Sequence, residues 1–132
     1  VETKTKIGIE RRIKGEFQAV TDATISALKA EGFGVLTTID VKATLKDKLN
    51  VDYASYVILG VCNPPLAHQA LSVTKNVGLF LPCNVIVYED TPGEIVVSAF
   101  NPLLIDEIMP GSGLSEMAHT AHSKLTTALG KI

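Results

Sequence analysis

Two strand-length runs rich in β-branched residues, Cys83–Glu89 (CNVIVYE) and Glu94–Phe100 (EIVVSAF), stand on either side of Asp90-Thr91-Pro92-Gly93. Val, Ile, Tyr and Phe favour extended backbone, and a tetrapeptide containing Pro-Gly reverses the chain, so this stretch predicts a β-hairpin. Upstream, Ala54–Cys62 (ASYVILGVC) is a nearly unbroken apolar run of strand length. Such a run predicts a central strand that is buried on both faces or faces a partner. It stops at Asn63-Pro64-Pro65, which reads as a helix start, with Asn63 as the N-cap and proline in the first turn, where no amide partner is needed. Leu66, Ala67, Ala70 and Leu71 give that helix its buried side.

The remaining segments show the same two periods. Lys6–Ile13 alternates Ile7, Ile9 and Ile13 as a first strand, and Arg11 and Arg12 near its end suit an exposed edge. Phe17, Val20, Thr24 and Leu28 then form a helical stripe that Gly32 and Gly34 stop. Val35, Thr37, Ile39 and Val41 share one face of a further strand. Asp40 is also placed to cap a short helix carrying Val41, Leu45 and Leu49, which Asn50 ends. After a short connecting piece (LLIDEIM), Leu114, Met117, Ala118, Ala121, Leu125, Ala128 and Leu129 make one continuous stripe. A final helix with so Ala-rich a face can lie close to a sheet.

Composition narrows the function classes. The chain has 132 residues, 46% of them apolar, which is enough to bury one core over 1–132 without disulfide or metal staples. Twelve basic against fourteen acidic residues, a formal charge of −2 and no tryptophan argue against a nucleic-acid binder, which carries a positive stripe. The longest apolar stretch, Val77–Tyr88, is broken by Pro82 and Asn84, so no membrane span is expected. No basic-then-apolar leader opens the chain; the cytoplasm is the expected compartment, a leader removed before Val1 being the alternative. There is no GxGxxG, no P-loop and no nucleophile elbow, so neither catalytic residues nor a cofactor are predicted.

Several of these residues form motifs. Gly32-Phe33-Gly34-Val35-Leu36-Thr37 with Ile39-Asp40-Val41, then Tyr56 and Ile58-Leu59-Gly60-Val61-Cys62-Asn63-Pro64-Pro65-Leu66-Ala67, then Gly78-Leu79-Phe80-Leu81-Pro82-Cys83-Asn84-Val85 follow one another along the chain. Together they are similar to the signatures of domain-of-unknown-function family 302, over essentially the whole length. The resemblance implies a small prokaryotic α+β domain with no established activity, often dimeric, with an antiparallel sheet and a TATA-binding-protein-like architecture. The expected fold is therefore α+β, an antiparallel sheet of about five strands with helices packed mainly on one face. The architectural analogy lends nothing to DNA binding, given the acidic balance.

The dipeptide Cys-Asn occurs twice, at Cys62-Asn63 ending one strand and Cys83-Asn84 beginning the next. Antiparallel neighbours would bring both to one rim of the sheet. A parallel crossover would separate them by about eight residues at roughly 3.3 Å each. The family's antiparallel sheet favours the first. Cys62, Asn63, His68, Cys83 and Asn84 then make up a candidate ligand-binding rim, where a helix N-terminus favours a thiolate. Each also has a plainer reading: the cysteines as small buried hydrophobes, Asn63 as an ordinary cap and His68 as a surface residue. Zinc needs two ligands besides the thiols and only His68 is near in sequence, so no metal site is predicted. His119 and His122 read as solvated, and Tyr53, Tyr56 and Tyr88 fall outside the rim because alternation puts only Tyr88 on Asn84's face. Two functions are left in play. One is a non-catalytic homodimeric domain whose hydrophobic strand Tyr56–Val61 serves the subunit interface. The other is a small-ligand or thiol-dependent site, redox or metal, around Cys62 and Cys83.

Overall fold

The hairpin joins strands β5 (Cys83–Thr91) and β6 (Glu94–Phe100) in a computed structural model that describes residues 2–4 and 6–132. With β1 (Glu2–Lys4), β2 (Gly8–Lys14), β3 (Gly34–Asp40) and β4 (Tyr56–Cys62) they form one sheet in the order β1-β2-β6-β5-β4-β3. Every neighbouring pair is antiparallel. The helices are α1 (Phe17–Ala30), α2 (Val41–Leu49), α3 (Pro64–Val73), α4 (Leu103–Ile108) and α5 (Ser115–Gly130), with a 3₁₀ turn at Lys75–Phe80. The fold is α+β, its sheet made of five strands of seven to nine residues and the three-residue β1.

Local chemistry sets the helix ends. Glu16 caps α1, its carboxylate accepting from the amides of Gln18 at 2.7 Å and Ala19 at 3.1 Å. The helix stops where Gly32 takes φ +87°, a left-handed conformation that costs glycine little. Asp40 accepts from the Ala43 amide at 2.9 Å to start α2, and Asn50 ends it at φ 52°.

Period-2 alternation puts Val57, Leu59 and Val61 of β4, Val85 and Val87 of β5, and Ile95, Val97 and Ala99 of β6 on one face. Leu28 of α1 and Leu125, Ala128 and Leu129 of α5 close over them, and all these side chains are buried. The predicted α5 stripe is buried at every position named. A smaller cluster of Ala70, Val77, Ile105, Leu114, Met117 and Ala121 extends the core past the ends of β4 and β5, among α3, α4 and α5.

Three local expectations are corrected. β2 is not an edge: β1 pairs outside it, and Arg11, opposite Val97, turns to the helix side, where its Nη1 donates to the Leu129 carbonyl at 2.6 Å. The guanidinium thus satisfies a carbonyl at the C-terminal end of α5, where a cation also meets the negative end of the helix dipole. Second, a β-bulge between Val35 and Thr37 breaks the alternation of β3. Val35 pairs with Val61 on the helix side, whereas Thr37 and Ile39 pair with Gly60 and Ile58 on the other. Third, Leu71 of α3 is exposed, because that short helix buries only Ala70 fully.

Candidate functional site

β4 and β5 are antiparallel neighbours with Val61 opposite Cys83, so the end of one and the start of the other share a rim of the sheet. Cys62, Asn63 and Cys83 line one small cavity there, of about 30 Å³. That is room for a single water-sized occupant and no organic molecule. Phe33, Leu66, Ala70, Leu81 and Ala121 supply much of its apolar wall, and Met117 of α5 completes it from the helix side. Both thiols are free.

Asn63 has its polar atoms committed. Its Oδ1 accepts from the Leu66 amide at 3.3 Å, capping α3, and its Nδ2 donates to the Glu31 carbonyl at 3.3 Å. The side chain therefore ties the end of β4 to the end of α1. Gly32 is needed for that tie, since a Cβ there would come within 2.9 Å of Asn63 Nδ2. Burial, and then the neighbouring Cys62, push the Cys83 thiol up to about 11. At neutral pH it is a protonated, weakly nucleophilic group.

The structure does not bring the other two predicted residues to this cavity. His68 lies on the exposed side of α3, and Asn84, next to Cys83 in an extended strand, points to the opposite face of the sheet. There it borders a separate hollow of about 340 Å³ with Leu79, Phe80, Pro82 and Phe100. Among the described residues, no group of three or more His, Cys, Asp or Glu side chains is placed to hold a metal ion.

That opposite face is the second notable surface. Tyr56 pairs with Tyr88, Ile58 with Ile86 and with Ile39, and Gly60 with Asn84. The Tyr56 and Tyr88 rings stack at 5.2 Å and 11°, and Tyr53 leans against Tyr56 at 6.4 Å. Burial raises both stacked phenols; Glu10 and Asp90 add to the effect at Tyr88. Asp90 also holds Arg12 at 2.8 Å. Further along, a Cβ on Gly60 would press on Thr37 Oγ1 and approach Pro82 Cγ to 2.9 Å, so these two side chains cross the strand there. Tyr56 joins Tyr88 only through the β4–β5 register, which strand alternation in sequence does not supply. Met117 was legible only as one of a helical stripe.

Residues 9–132 match the family model for the Domain of unknown function DUF302. None of the curated proteins matches the chain. The crystal structure of an uncharacterized conserved DUF302 protein from Bacillus stearothermophilus is similar at a TM-score of 0.88 and 29% identity, over 96% of this chain and 98% of that one. Family model and solved structure agree over nearly the full length: the chain belongs to the DUF302 family of domains of unknown function.

Proposed function

We propose that this domain acts as a non-catalytic, cytoplasmic homodimer whose subunits meet through the sheet face that α1 and α5 leave uncovered. The observation that carries the reading is the apolar row Ile39, Ile58 and Ile86, with the stacked Tyr56 and Tyr88 beside it, on that face. Ile58, Ile86 and both tyrosines are only half-buried, and Ile39 is 48% exposed. A solvated sheet face normally alternates to polar side chains, and a contiguous apolar patch marks a contact surface. Five strands about 4.8 Å apart and seven residues at about 3.3 Å give a face of roughly 24 by 23 Å. Its accessible area exceeds that projection and is of the order of the roughly 800 Å² per partner of a standard interface. An open antiparallel sheet with helices on its other side is also what supports the likeness to the TATA-binding-protein architecture. No helix of the described residues is long and apolar enough to cross a membrane.

Sedimentation velocity at micromolar concentration tests this. The expected species has twice the 14.1 kDa mass of the chain, and Ile86→Lys returns it to a folded monomer. A wild-type monomer, or a dimer indifferent to Ile86→Lys, overturns the reading.

A further inference from the structure

Asn84 borders the hollow of about 340 Å³ on the sheet face away from α1 and α5, and several contacts place the lining of that hollow on one side. Asn84 pairs with Gly60 across β4 and β5, and a Cβ built on Gly60 would approach the Pro82 ring to 2.9 Å, so that ring shares Asn84's side. Continuing the β5–β6 register past Val85 and Ala99 sets Phe100 opposite Asn84, again on that side. The Phe80 ring runs nearly parallel to Phe100, with centroids 6.3 Å apart and 23° between planes, and both rings are braced by the smaller core cluster. Leu79 closes the hollow and is 89% exposed, a leucine that the core does not use. We propose that this hollow binds a free, uncharged purine base of the adenine type, stacked on its ring wall and read by the Asn84 carboxamide.

The lining selects that class of ligand. Apart from Asn84 its side chains are apolar or aromatic, and no charged side chain of the described residues is among them. A phosphate, carboxylate or ammonium group would therefore leave water without gaining a partner. Aromatic side chains take a flat base on the strength of its π face. A carboxamide adds donors and an acceptor in one plane, and an asparagine amide matches the 6-amino group and ring N7 of adenine with two hydrogen bonds. Among the described residues the Asn84 carboxamide has no hydrogen-bond partner, so both bonds are open to a ligand. The volume lies at the small end of the range for ligand sites, which suits a bicyclic ring. A net charge of −2 gives a polynucleotide no electrostatic hold, which leaves the free base as the form bound.

The test is equilibrium dialysis of the full chain against adenine, read by ultraviolet absorbance. One base per chain is expected, with a dissociation constant of roughly 0.1 mM, which a ligand of about ten non-hydrogen atoms can reach. Purine, which lacks the amino group, and 7-deazaadenine, which lacks N7, should each bind at least about fivefold more weakly, the low end of what an asparagine–adenine pair is worth. In Asn84→Ala, adenine should fall to the level of purine and the difference between the two should vanish, a result that a merely structural role would not give. Leu79→Ala, at an exposed position, should stay folded by circular dichroism and weaken adenine and purine alike. His68→Ala, on the exposed side of α3, should bind like wild type. No saturation by about 1 mM adenine overturns the site. So does adenosine monophosphate binding as tightly as the free base, or a preference for adenine over purine that survives Asn84→Ala. The hollow lies past the Ile39, Ile58 and Ile86 row, toward the start of β5, and the dimer is read from mass alone, so either reading can fail without the other.

Discussion

The two faces of this sheet are made by the same strands and fare differently. Along β4, Val57, Leu59 and Val61 are sealed under α1 and α5, while their immediate neighbours Tyr56 and Ile58 stay half open. A strand that is apolar at successive positions presents two apolar faces, and the intramolecular fold uses one of them. The difference teaches that hydrophobicity in such a strand is not all explained by the core of one chain.

The sharpest way to break this comparison is to truncate adjacent residues on opposite faces. Leu59→Ala should cost the folded chain about 2–5 kcal/mol, the range for a fully buried leucine, in urea unfolding. Ile58→Ala should cost much less in a dilute monomer, and its main effect should show as weaker self-association at micromolar concentration. Equal losses in the monomer would mean that both faces are core. Next in size is Gly60→Ala, which sets a methyl against Thr37 and Pro82 and should destabilise by about 1–3 kcal/mol; adding Thr37→Ala should recover part of it.

The rim cavity answers to pH through Cys83. Between the ordinary thiol value of 9.0 and about 11, an unfolded chain ionises this thiol while folded Cys83 keeps its proton. The folded state then binds more protons, so stability should be intact below pH 9 and fall as pH rises toward 11, by on the order of 2 kcal/mol. Cys83→Ala should flatten that slope in guanidinium unfolding at pH 8, 9.5 and 11. The smallest effects should come from His68→Ala and Asn84→Ala. Both are exposed, and each should lie within about 0.5 kcal/mol of wild type by thermal melting.

Much of the fold was legible wherever one local rule acted alone. The β5–β6 hairpin, the Asn63 cap with its prolines, the Asp40 cap and the whole α5 stripe follow from turn chemistry and period, and the structure has each of them. What sequence missed depends on inserted residues or distant partners. The bulge at Leu36 sends Val35 and Thr37 to opposite faces, and nothing in a period-2 pattern announces an extra residue. Arg11 is drawn inward by the carbonyl end of a helix formed by residues far along the chain. Of the candidate rim, Cys62, Asn63 and Cys83 meet, because antiparallel pairing brings the strand ends together. Asn84 was separable from Cys83 by alternation alone. Met117 was not attachable to the cysteines from sequence, because only the docking of α5 brings it to β4 and β5.

The bulge in β3 bears on how copies of this molecule can accumulate. β3 is the last strand on its side of the sheet, and a foreign strand laid along it would lose register halfway, beside an exposed Leu36 and before the charge of Asp40. Growth by strand addition, the route to fibres, is therefore blocked at that margin. In the dimer proposed above, two copies would instead close on each other through the flat of the sheet, an arrangement that leaves that face nothing for a third.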